Sequence, residues 1–194
     1  MSLTVLDTAL LSGIHALLSS PGLDRLMTTV TRLGDLGFIW LLLAAILLCR
    51  PATRRAGVLI LLAMALGLLF GNGLLKNLVA RPRPYTADPG IQLLIEPSRE
   101  PYSFPSGHTL HAFAAAFAVG LAGRKRLFIP CLILAAAIGF SRIYLMMHYP
   151  SDVLAGGLFG FAAAWAAQWL LKRLEPALSR SKRAENPPFD GKNP

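Results

Sequence analysis

Three short motifs in the chain combine basic residues, histidines and a carboxylate at the ends of apolar segments. They are Lys76-x6-Arg83-Pro84, Pro105-Ser106-Gly107-His108 and Ser141-Arg142-x5-His148-x3-Asp152. Lysine and arginine bind anions, and arginine does so through planar, forked N–H donors. Histidine can exchange a proton near neutral pH and can also act as a nucleophile. The motifs together therefore predict a site that binds an anion and carries out proton-transfer or nucleophilic chemistry on it.

The motif at residues 105–108 is typical of a helix start. Pro105 fixes its own φ, Ser106 can cap the first turn, and Gly107 lets the backbone approach a ligand closely. The first N–H groups of a helix lack partners within the helix and lie at the positive end of its dipole, so a helix start attracts anions. On its own this motif fits an ordinary capped helix equally well, and the other two motifs favour the functional interpretation.

The composition of the chain predicts a membrane protein. Of its 194 residues, 54% are hydrophobic and 15% are charged, and the mean hydropathy is +0.53. This is too apolar for an ordinary soluble domain. The net charge of +9 is concentrated at the ends of apolar segments, which disfavours nucleic acid as a partner. Cys49 and Cys131 are too few for a disulfide framework, and we expect no removed signal peptide because the N-terminus lacks a basic region and a cleavage site.

We predict an all-α, polytopic membrane bundle of about six helices. The segments predicted as helical are 3–19, 23–49, 57–80, 106–122, 127–147 and 150–172. The first of these is amphipathic and carries Asp7 and His15, so it is expected at the membrane interface or only weakly inserted. Gly156, Gly157 and Gly160 indicate close packing between helices. Residues 1–174 form the membrane-embedded domain, and the basic residues 175–194 are predicted to be a disordered cytoplasmic tail.

The distribution of basic residues predicts the orientation in the membrane. Basic turns at residues 50–55 and 124–126, together with the basic segment after residue 172, mark one face as cytoplasmic. The loop at 81–104 and the turn at 148–150 then lie on the other face, where helix alternation also brings the three motifs. Basic residues on that face run against the usual bias, and anion binding explains them. We therefore expect a multi-pass protein of the inner or plasma membrane with an extracytoplasmic active site.

The three motifs, in this order and spacing, resemble the signature of the type-2 phosphatidic acid phosphatase superfamily. These are membrane lipid phosphatases related to vanadium haloperoxidases. The resemblance covers roughly residues 55–172, and no signature residue departs from the pattern. It implies an enzyme that hydrolyses a lipid phosphate or diphosphate without a metal or cofactor. Undecaprenyl diphosphate is the favoured substrate, phosphatidylglycerophosphate, phosphatidate and lipid A phosphate are alternatives, and the oligomeric state is left open.

The resemblance also implies a role for each motif residue. The residues that would bind the substrate phosphate are Lys76, Arg83, Ser106, Gly107 and Arg142. His148 would be the nucleophile that forms a phosphohistidine, with its ring oriented by Asp152. His108 would protonate the leaving oxygen and then activate water. Because the cations supply the positive charge, no metal is required.

Other interpretations compete at several positions. Lys76 could extend from a helix end to the membrane surface, and Arg81, which lies outside the signature, is interpreted as a lipid headgroup contact. His108 and His111 could form a metal pair, but no third ligand accompanies them, so His111 is interpreted as a packing residue or as one that supports the residues of the site. A different class, an anion-binding membrane transporter, could share the basic pocket. A transporter has no need, however, of the second histidine beside the His148 motif.

Overall fold

The computed structural model describes residues 3–185, with side chains described through residue 175, and these residues are almost entirely helical. The helices are α1 (Leu3–Leu18), α2 (Pro21–Leu33), α3 (Phe38–Leu48), α4 (Arg54–Gly67), α5 (Lys76–Val79), α6 (Pro84–Ala87), α7 (Gly107–Leu121), α8 (Lys125–Tyr144) and α9 (Pro150–Glu185). The all-α prediction is confirmed. Helix α9 continues beyond the predicted end at residue 172, and residues 186–194 of the predicted tail lie outside the described residues.

The helices have the lengths and composition of a membrane bundle. Three segments are long and apolar enough to cross a membrane, namely Arg54–Val79, Lys125–Tyr144 and Pro150–Glu175. The first is continuous because a π-helical stretch, Leu68–Leu75, joins α4 to α5. Helix α2 and the segment Asp35–Leu48, which contains α3, are together also long and apolar enough to cross a membrane, although they are bent by 46°. Helices α1 and α7 are shorter apolar helices.

The single helix predicted over residues 23–49 is wrong, because the chain breaks between α2 and α3. The break is a 3₁₀ turn, Asp35–Gly37, in which Leu36 and Gly37 have φ values of 52° and 69°. Glycine adopts such a left-handed conformation without strain, whereas a leucine adopts it only when the surrounding structure imposes it. The turn therefore interrupts an apolar run that looks continuous in the sequence, and it carries Asp35 to the site described below.

Helix α7 lies at the centre of the bundle, in contact with α4, α8 and α9. Its fully buried residues include Ala112, Ala114, Ala115, Ala116 and Ala118. Helix α9 approaches α7 closely because Gly156 and Gly160 have no side chains. A Cβ on Gly160 would lie only 2.6 Å from the carbonyl oxygen of Leu110, and one on Gly156 only 2.8 Å from that of Ser106. The predicted close packing is confirmed at Gly156 and Gly160, but not at Gly157, where a Cβ would lie 3.8 Å from the Phe113 ring, an ordinary contact. This packing sets the start of α7 beside the start of α9, where two of the motifs lie.

Helix α1 is held against the end of the bundle that carries the three motifs. Asp7 is buried and accepts a hydrogen bond from the N–H of Ser151, in the first turn of α9, at 3.0 Å. The ring of His15 lies 6.1 Å from that of Tyr144, the last residue of α8. Asp7 and His15 are about 12 Å apart along the helix at the usual rise per residue. Because both contact the same end of the bundle, α1 lies across that end. Its position at the membrane interface stays a prediction.

Candidate active site

A cavity of about 630 Å³ opens at this end of the bundle and is lined by residues of all three motifs. Its polar lining includes Lys76, Arg83, Gly107, His108, Arg142 and His148. Its apolar lining includes Leu36, Leu41, Leu61, Met64 and Leu68. The two remaining predicted site residues, Ser106 and Asp152, are fully buried. The cavity thus offers a cationic region for a charged group and an apolar region that suits the start of a hydrocarbon chain.

The three cations of the cavity are almost completely buried. Lys76, Arg83 and Arg142 expose 5%, 2% and 3% of their surface. Lys76 forms an ion pair with Glu100, so it does not extend to the membrane surface. Arg83 donates from Nε to the carbonyl oxygen of Glu100 at 2.8 Å and from Nη1 to that of Met147 at 3.1 Å. Burial lowers the pKa of Arg83 from its ordinary value, although nearby acidic groups oppose this effect.

Arg142 is the cation whose hydrogen bonding is least complete. Its Nη1 donates to the hydroxyl oxygen of Thr31 at 2.6 Å. Its Nε is buried and has no hydrogen-bond partner among the described residues. A buried guanidinium that lacks a carboxylate partner is costly, because desolvation is not offset by an opposite charge. An anion in the cavity would supply the missing partner.

His148 lies in a tight turn, not on a helix. Helix α8 ends at Tyr144, before the predicted end at residue 147, and Met146 has a φ of 57°. The N–H groups of Met147 and His148 both donate to the carbonyl oxygen of Arg142, at 3.0 and 3.1 Å. Pro150 then begins α9 with its φ already fixed. The turn is therefore anchored on both sides, and it presents the His148 ring to the cavity.

The hydrogen bonds around His148 assign its tautomer. Nε2 lies 3.2 Å from Nη1 of Arg83, and because arginine can only donate, Nε2 must accept. The proton of the neutral ring is therefore on Nδ1, which lies 3.2 Å from Oγ of Ser103. Burial is the main reason that the pKa of His148 is lowered to about 3, with the charges of Arg83 and Arg142 acting in the same direction and Asp152 opposing them. The ring is thus neutral at pH 7, which is the form that a nucleophile requires.

Asp152 is joined to His148 through Ser103. The carboxylate Oδ2 lies 3.8 Å from His148 Nδ1, which is beyond the length of a hydrogen bond. The hydroxyl of Ser103 donates to Oδ2 at 2.5 Å. The same oxygen accepts from the N–H of Tyr149 at 3.0 Å, so Asp152 also caps the start of its own helix. The predicted place of Asp152 in the first turn of α9 is confirmed, while its contact with the histidine is indirect.

The interpretation of Arg81 as a lipid headgroup contact is wrong. Its Nη1 donates to Oδ1 of Asp152 at 2.8 Å, and its Nη2 donates to Oδ2 of Asp7 at 2.8 Å. Its guanidinium also lies 3.9 Å from the centre of the Tyr149 ring. Burial lowers the pKa of Arg81, but the hydrogen bond to Asp7 and the charge of Asp152 together raise it above its ordinary value. Arg81 is therefore the permanent countercharge of a carboxylate that has no exposed surface.

His108 is the second residue of α7, and its Nε2 lies 2.9 Å from Oδ1 of Asp35. Asp35 comes from the turn between α2 and α3, and its side chain is 59% exposed. His111, one turn further along α7, also lines the cavity and does not only pack. The described residues contain no group of three or more His, Cys, Asp or Glu side chains that could hold a metal ion. Independence from metals stays a prediction.

Ser106 occupies the N-cap position of α7, but its hydroxyl does not cap the first turn as predicted. The hydroxyl oxygen instead accepts from Oγ1 of Thr109 at 2.9 Å, and the Ser106 N–H donates to the carbonyl oxygen of Asp152 at 3.1 Å. The absence of a side chain on Gly107 has a clear reason, because a Cβ there would lie 3.0 Å from Oδ1 of Asn72. This backbone can thus approach both a neighbouring helix and the cavity.

Three residues that contact the predicted site residues were not predicted from the sequence, namely Ser103, Asp35 and Glu100. Ser103 lies three residues before the signature serine, and nothing in its neighbours distinguishes it from an ordinary loop residue. A signal did exist for Asp35, because it stands in Gly34-Asp35-Leu36-Gly37, where two glycines in four residues favour a helix break. Glu100 is one of several charged residues in the loop at 81–104, and its spacing does not connect it with Lys76.

The sequence profile of the PAP2 superfamily matches residues 56–175. The chain belongs to this superfamily. It is 32% identical over 139 residues to the undecaprenyl-diphosphatase of Sulfolobus acidocaldarius, an alignment that covers 71% of this chain and 66% of that relative. It is 31% identical over 191 residues to the lipid A 4'-phosphatase of Bacteroides thetaiotaomicron, which covers 91% of this chain and 81% of the relative. The chain thus spans slightly less than two thirds of the first relative.

A solved structure has a similar fold. The transmembrane PAP2 type phosphatidylglycerolphosphate phosphatase from Bacillus subtilis superposes with a TM-score of 0.70 at 26% sequence identity. The superposition covers 89% of this chain and 87% of that one. The protein is therefore a membrane protein of the PAP2 fold, as the three motifs predicted.

Proposed function

We propose that this protein is an integral-membrane phosphatase that hydrolyses a lipid phosphate or diphosphate through a phosphohistidine intermediate. The observation that carries this proposal is the union of three buried cations and one neutral, buried histidine around a single cavity. Phosphoryl transfer spreads negative charge over three oxygens, so its catalysis depends mainly on positioning and on fixed positive charge. Lys76, Arg83 and Arg142 supply that charge, with Ser106 and the backbone of Gly107 completing the phosphate site.

In the first step, the substrate phosphate accepts the Arg83 N–H that otherwise donates to Nε2 of His148, and the freed lone pair of Nε2 attacks the phosphorus atom. A P–N bond forms, the bond from phosphorus to the leaving oxygen breaks, and the electron pair of that bond goes to the oxygen. His108 must carry a proton in this step, and the negative charges of Asp35 and of the bound phosphate favour that form against burial, which lowers the pKa of the ring. It donates its proton to the leaving oxygen, which lets a poor leaving group depart. The His148 ring becomes cationic while phosphorylated, and the negative charge of buried Asp152 stabilises it.

In the second step, water replaces the histidine on phosphorus. His108, neutral after the first step, accepts a proton from the water as its oxygen attacks. The P–N bond breaks, its electron pair returns to Nε2 of His148, and inorganic phosphate leaves. Each histidine thus ends in the protonation state in which it began.

Undecaprenyl diphosphate is the substrate that we favour, because a named relative is an undecaprenyl-diphosphatase and the cavity has an apolar region beside the cations. Two alternatives have support from other named proteins. These are phosphatidylglycerophosphate, from the Bacillus subtilis structure, and a lipid A phosphate, from the Bacteroides relative. Phosphatidate is the remaining candidate.

The decisive experiment is phosphate release from these four lipids by the purified full-length protein in detergent with EDTA present. We expect release from at least one lipid, inhibition by vanadate, which mimics the five-coordinate phosphoryl group, and no release by a His148→Asn variant. The order of rates identifies the substrate. Release from none of the lipids would contradict the phosphatase assignment. Loss of activity in EDTA that Mg²⁺ restores would overturn metal independence alone.

We also propose that the site faces outward from the cytoplasmic or inner membrane, because the basic turns lie at the opposite end of the helices. Gln92 is exposed in the loop on the site side, whereas the native Cys49 is exposed beside the basic turn at residues 50–55. In a Gln92→Cys variant, an impermeant thiol reagent should label residue 92 on intact cells, and Cys49 only after lysis. The reverse pattern would exclude this orientation.

A further inference from the structure

Ser103 joins the proposed nucleophile to its carboxylate, although it lies outside all three motifs. Its surface is fully buried. Its Oγ lies 3.2 Å from Nδ1 of His148 and donates to Oδ2 of Asp152 at 2.5 Å. The direct distance between the histidine nitrogen and the carboxylate oxygen is 3.8 Å, so the hydroxyl provides the hydrogen-bonded connection between them.

The direction of each hydrogen bond in this chain follows from the chemistry of its members. An ionised carboxylate can only accept, so the one hydroxyl proton of Ser103 is directed to Asp152. The hydroxyl oxygen is then free to accept a hydrogen bond from Nδ1–H of His148. Arg83 favours the same tautomer from the other side of the ring, because it donates to Nε2, but it offers no acceptor to Nδ1–H. The hydrogen bonds on both sides of the ring therefore place its proton on Nδ1.

We propose that Ser103 is a positioning residue that holds His148 in the Nδ1–H tautomer and transmits the charge of Asp152 to its ring. The inference rests on the proposed function, in which His148 is the nucleophile. As Nε2 attacks phosphorus, the ring becomes positive and its Nδ1–H becomes a stronger donor. Ser103 accepts this bond and passes the polarisation to the carboxylate, so it acts most strongly when the phosphohistidine forms.

The backbone of Ser103 is fixed by the segment that also supplies the countercharge of Asp152. The N–H of Ser103 donates to the carbonyl oxygen of Arg81 at 2.8 Å, and the adjacent residues Pro82 and Tyr102 form an antiparallel bridge. The side chain of Arg81 meanwhile donates to Asp152. One short stretch of paired backbone therefore places both the hydroxyl and the guanidinium against the same carboxylate, which is the rigidity that a positioning residue needs.

The kinetic test compares Ser103→Ala with the wild-type protein in phosphoenzyme formation from nitrophenyl phosphate by rapid quench. Without the hydroxyl, the buried Nδ1–H has no acceptor at hydrogen-bond length. We expect formation to slow roughly 10- to 100-fold, with KM within about 3-fold. Ser103→Thr, which keeps the hydroxyl, should recover most of the rate. The control is Thr53→Val, which removes a hydroxyl bonded to the carbonyl oxygen of Leu47 at 2.7 Å, and it should leave the rate unchanged.

Two further readouts separate positioning from a merely structural role. In ¹⁵N-histidine-labelled wild-type protein, the NMR signals of His148 should show the Nδ1–H tautomer, and in Ser103→Ala a mixture. The double variant Ser103→Ala, Asp152→Asn should be no slower than the slower single variant, because both substitutions interrupt one connection. The inference would be overturned if the wild-type ring carried its proton on Nε2, or if Ser103→Ala left the rate unchanged. It would also be overturned if Ser103→Thr were no faster than Ser103→Ala, or if the losses of the two single variants were additive in the double variant. Failure of the wild-type protein to release phosphate would instead contradict the proposed function, while the tautomer would still decide whether Ser103 accepts the Nδ1–H bond.

Discussion

The two histidines of the site are held in opposite ways. His148 is 2% exposed and has a partner on each ring nitrogen, Arg83 on one and Ser103 on the other. The side chain of His108 is 25% exposed. Its ring is hydrogen-bonded to Asp35, whose side chain is itself largely exposed. A nucleophile must be held at a fixed position relative to phosphorus, whereas a group that protonates a leaving oxygen and then a water must reach both. The difference in restraint therefore matches the difference in proposed role.

Replacement of His148 is the most severe test of this comparison. His148→Asn removes the nucleophilic nitrogen and should abolish the phosphoenzyme and lower turnover by roughly 10⁴-fold or more. Rapid quench with radiolabelled substrate measures both quantities. His15→Asn is the matched control, because His15 lies outside the cavity lining and should leave both unchanged. A trapped phosphoenzyme in the His148 variant would mean that another residue is the nucleophile.

Replacement of His108 should cost less and should depend on the leaving group. His108→Ala removes the proton donor, an effect of roughly 10²–10⁴-fold with a lipid monophosphate such as phosphatidate or phosphatidylglycerophosphate, whose leaving group is an alkoxide. Nitrophenolate needs little protonation, so the first step with nitrophenyl phosphate should be partly rescued in this variant. The His148 variant should show no such rescue. Equal losses of the first step for both leaving groups would contradict the division of roles between the histidines.

The motif residues could be predicted from sequence because their chemistry is visible in their types and spacing. Every cation and histidine of the three motifs that was assigned a role lines the cavity. The helices could also be predicted, since apolar runs of this length have few alternatives in a membrane. Helix ends were less predictable. The turn that presents His148 depends on the left-handed conformation of Met146, which no residue type announces.

The residues that support the motifs could not be predicted, because their roles arise only when distant segments meet. Arg81 resembles any basic residue at a membrane surface until Asp7 and Asp152 are brought to either side of it. Ser103 resembles an ordinary loop serine until the turn after α8 places His148 beside it. Contacts of this kind depend on tertiary structure, which the local pattern of a single sequence does not contain.

The burial of His148 also predicts how stability depends on pH. Its pKa in the folded protein is about 3, well below the value near 6.5 of an exposed histidine. Below about pH 6.5 the unfolded chain binds a proton that the folded protein does not. The free energy of unfolding should therefore lose up to about 1.4 kcal/mol for each pH unit between 6.5 and 3, while this contribution is fully present above pH 6.5.

Thermal unfolding of the protein in detergent between pH 7.5 and 5 measures this loss. The wild-type protein should be destabilised more steeply on acidification than His148→Gln, which has no titratable group at this position. Parallel curves for the two proteins would mean that burial does not hold the ring neutral. The contrast between a neutral, buried His148 and a more exposed His108 would then lose its electrostatic basis.

The smallest expected effect concerns helix α1, which lies outside the segment that matches the superfamily. Asp7 of this helix contacts neither the cavity nor a histidine, but it holds Nη2 of Arg81, whose Nη1 holds Asp152. Asp7→Asn keeps the size of the side chain and removes its charge, so Arg81 should become less firmly fixed. We expect phosphoenzyme formation to slow roughly 3- to 10-fold, since one buried charged hydrogen bond is weakened and not lost.

The Asp7→Asn substitution should affect His148 and its partners and leave the function of His108 unchanged. The ratio of rates for lipid and nitrophenyl leaving groups, which reports His108, should stay at its wild-type value. Asp24→Asn is the matched control, because Asp24 accepts a hydrogen bond from the Tyr144 hydroxyl at 2.5 Å at the same end of the bundle without contacting Arg81. If both aspartate variants slow the enzyme equally, α1 and α2 only stabilise the fold. If Asp7→Asn alone slows the first step, a helix outside the superfamily match contributes to orienting the nucleophile.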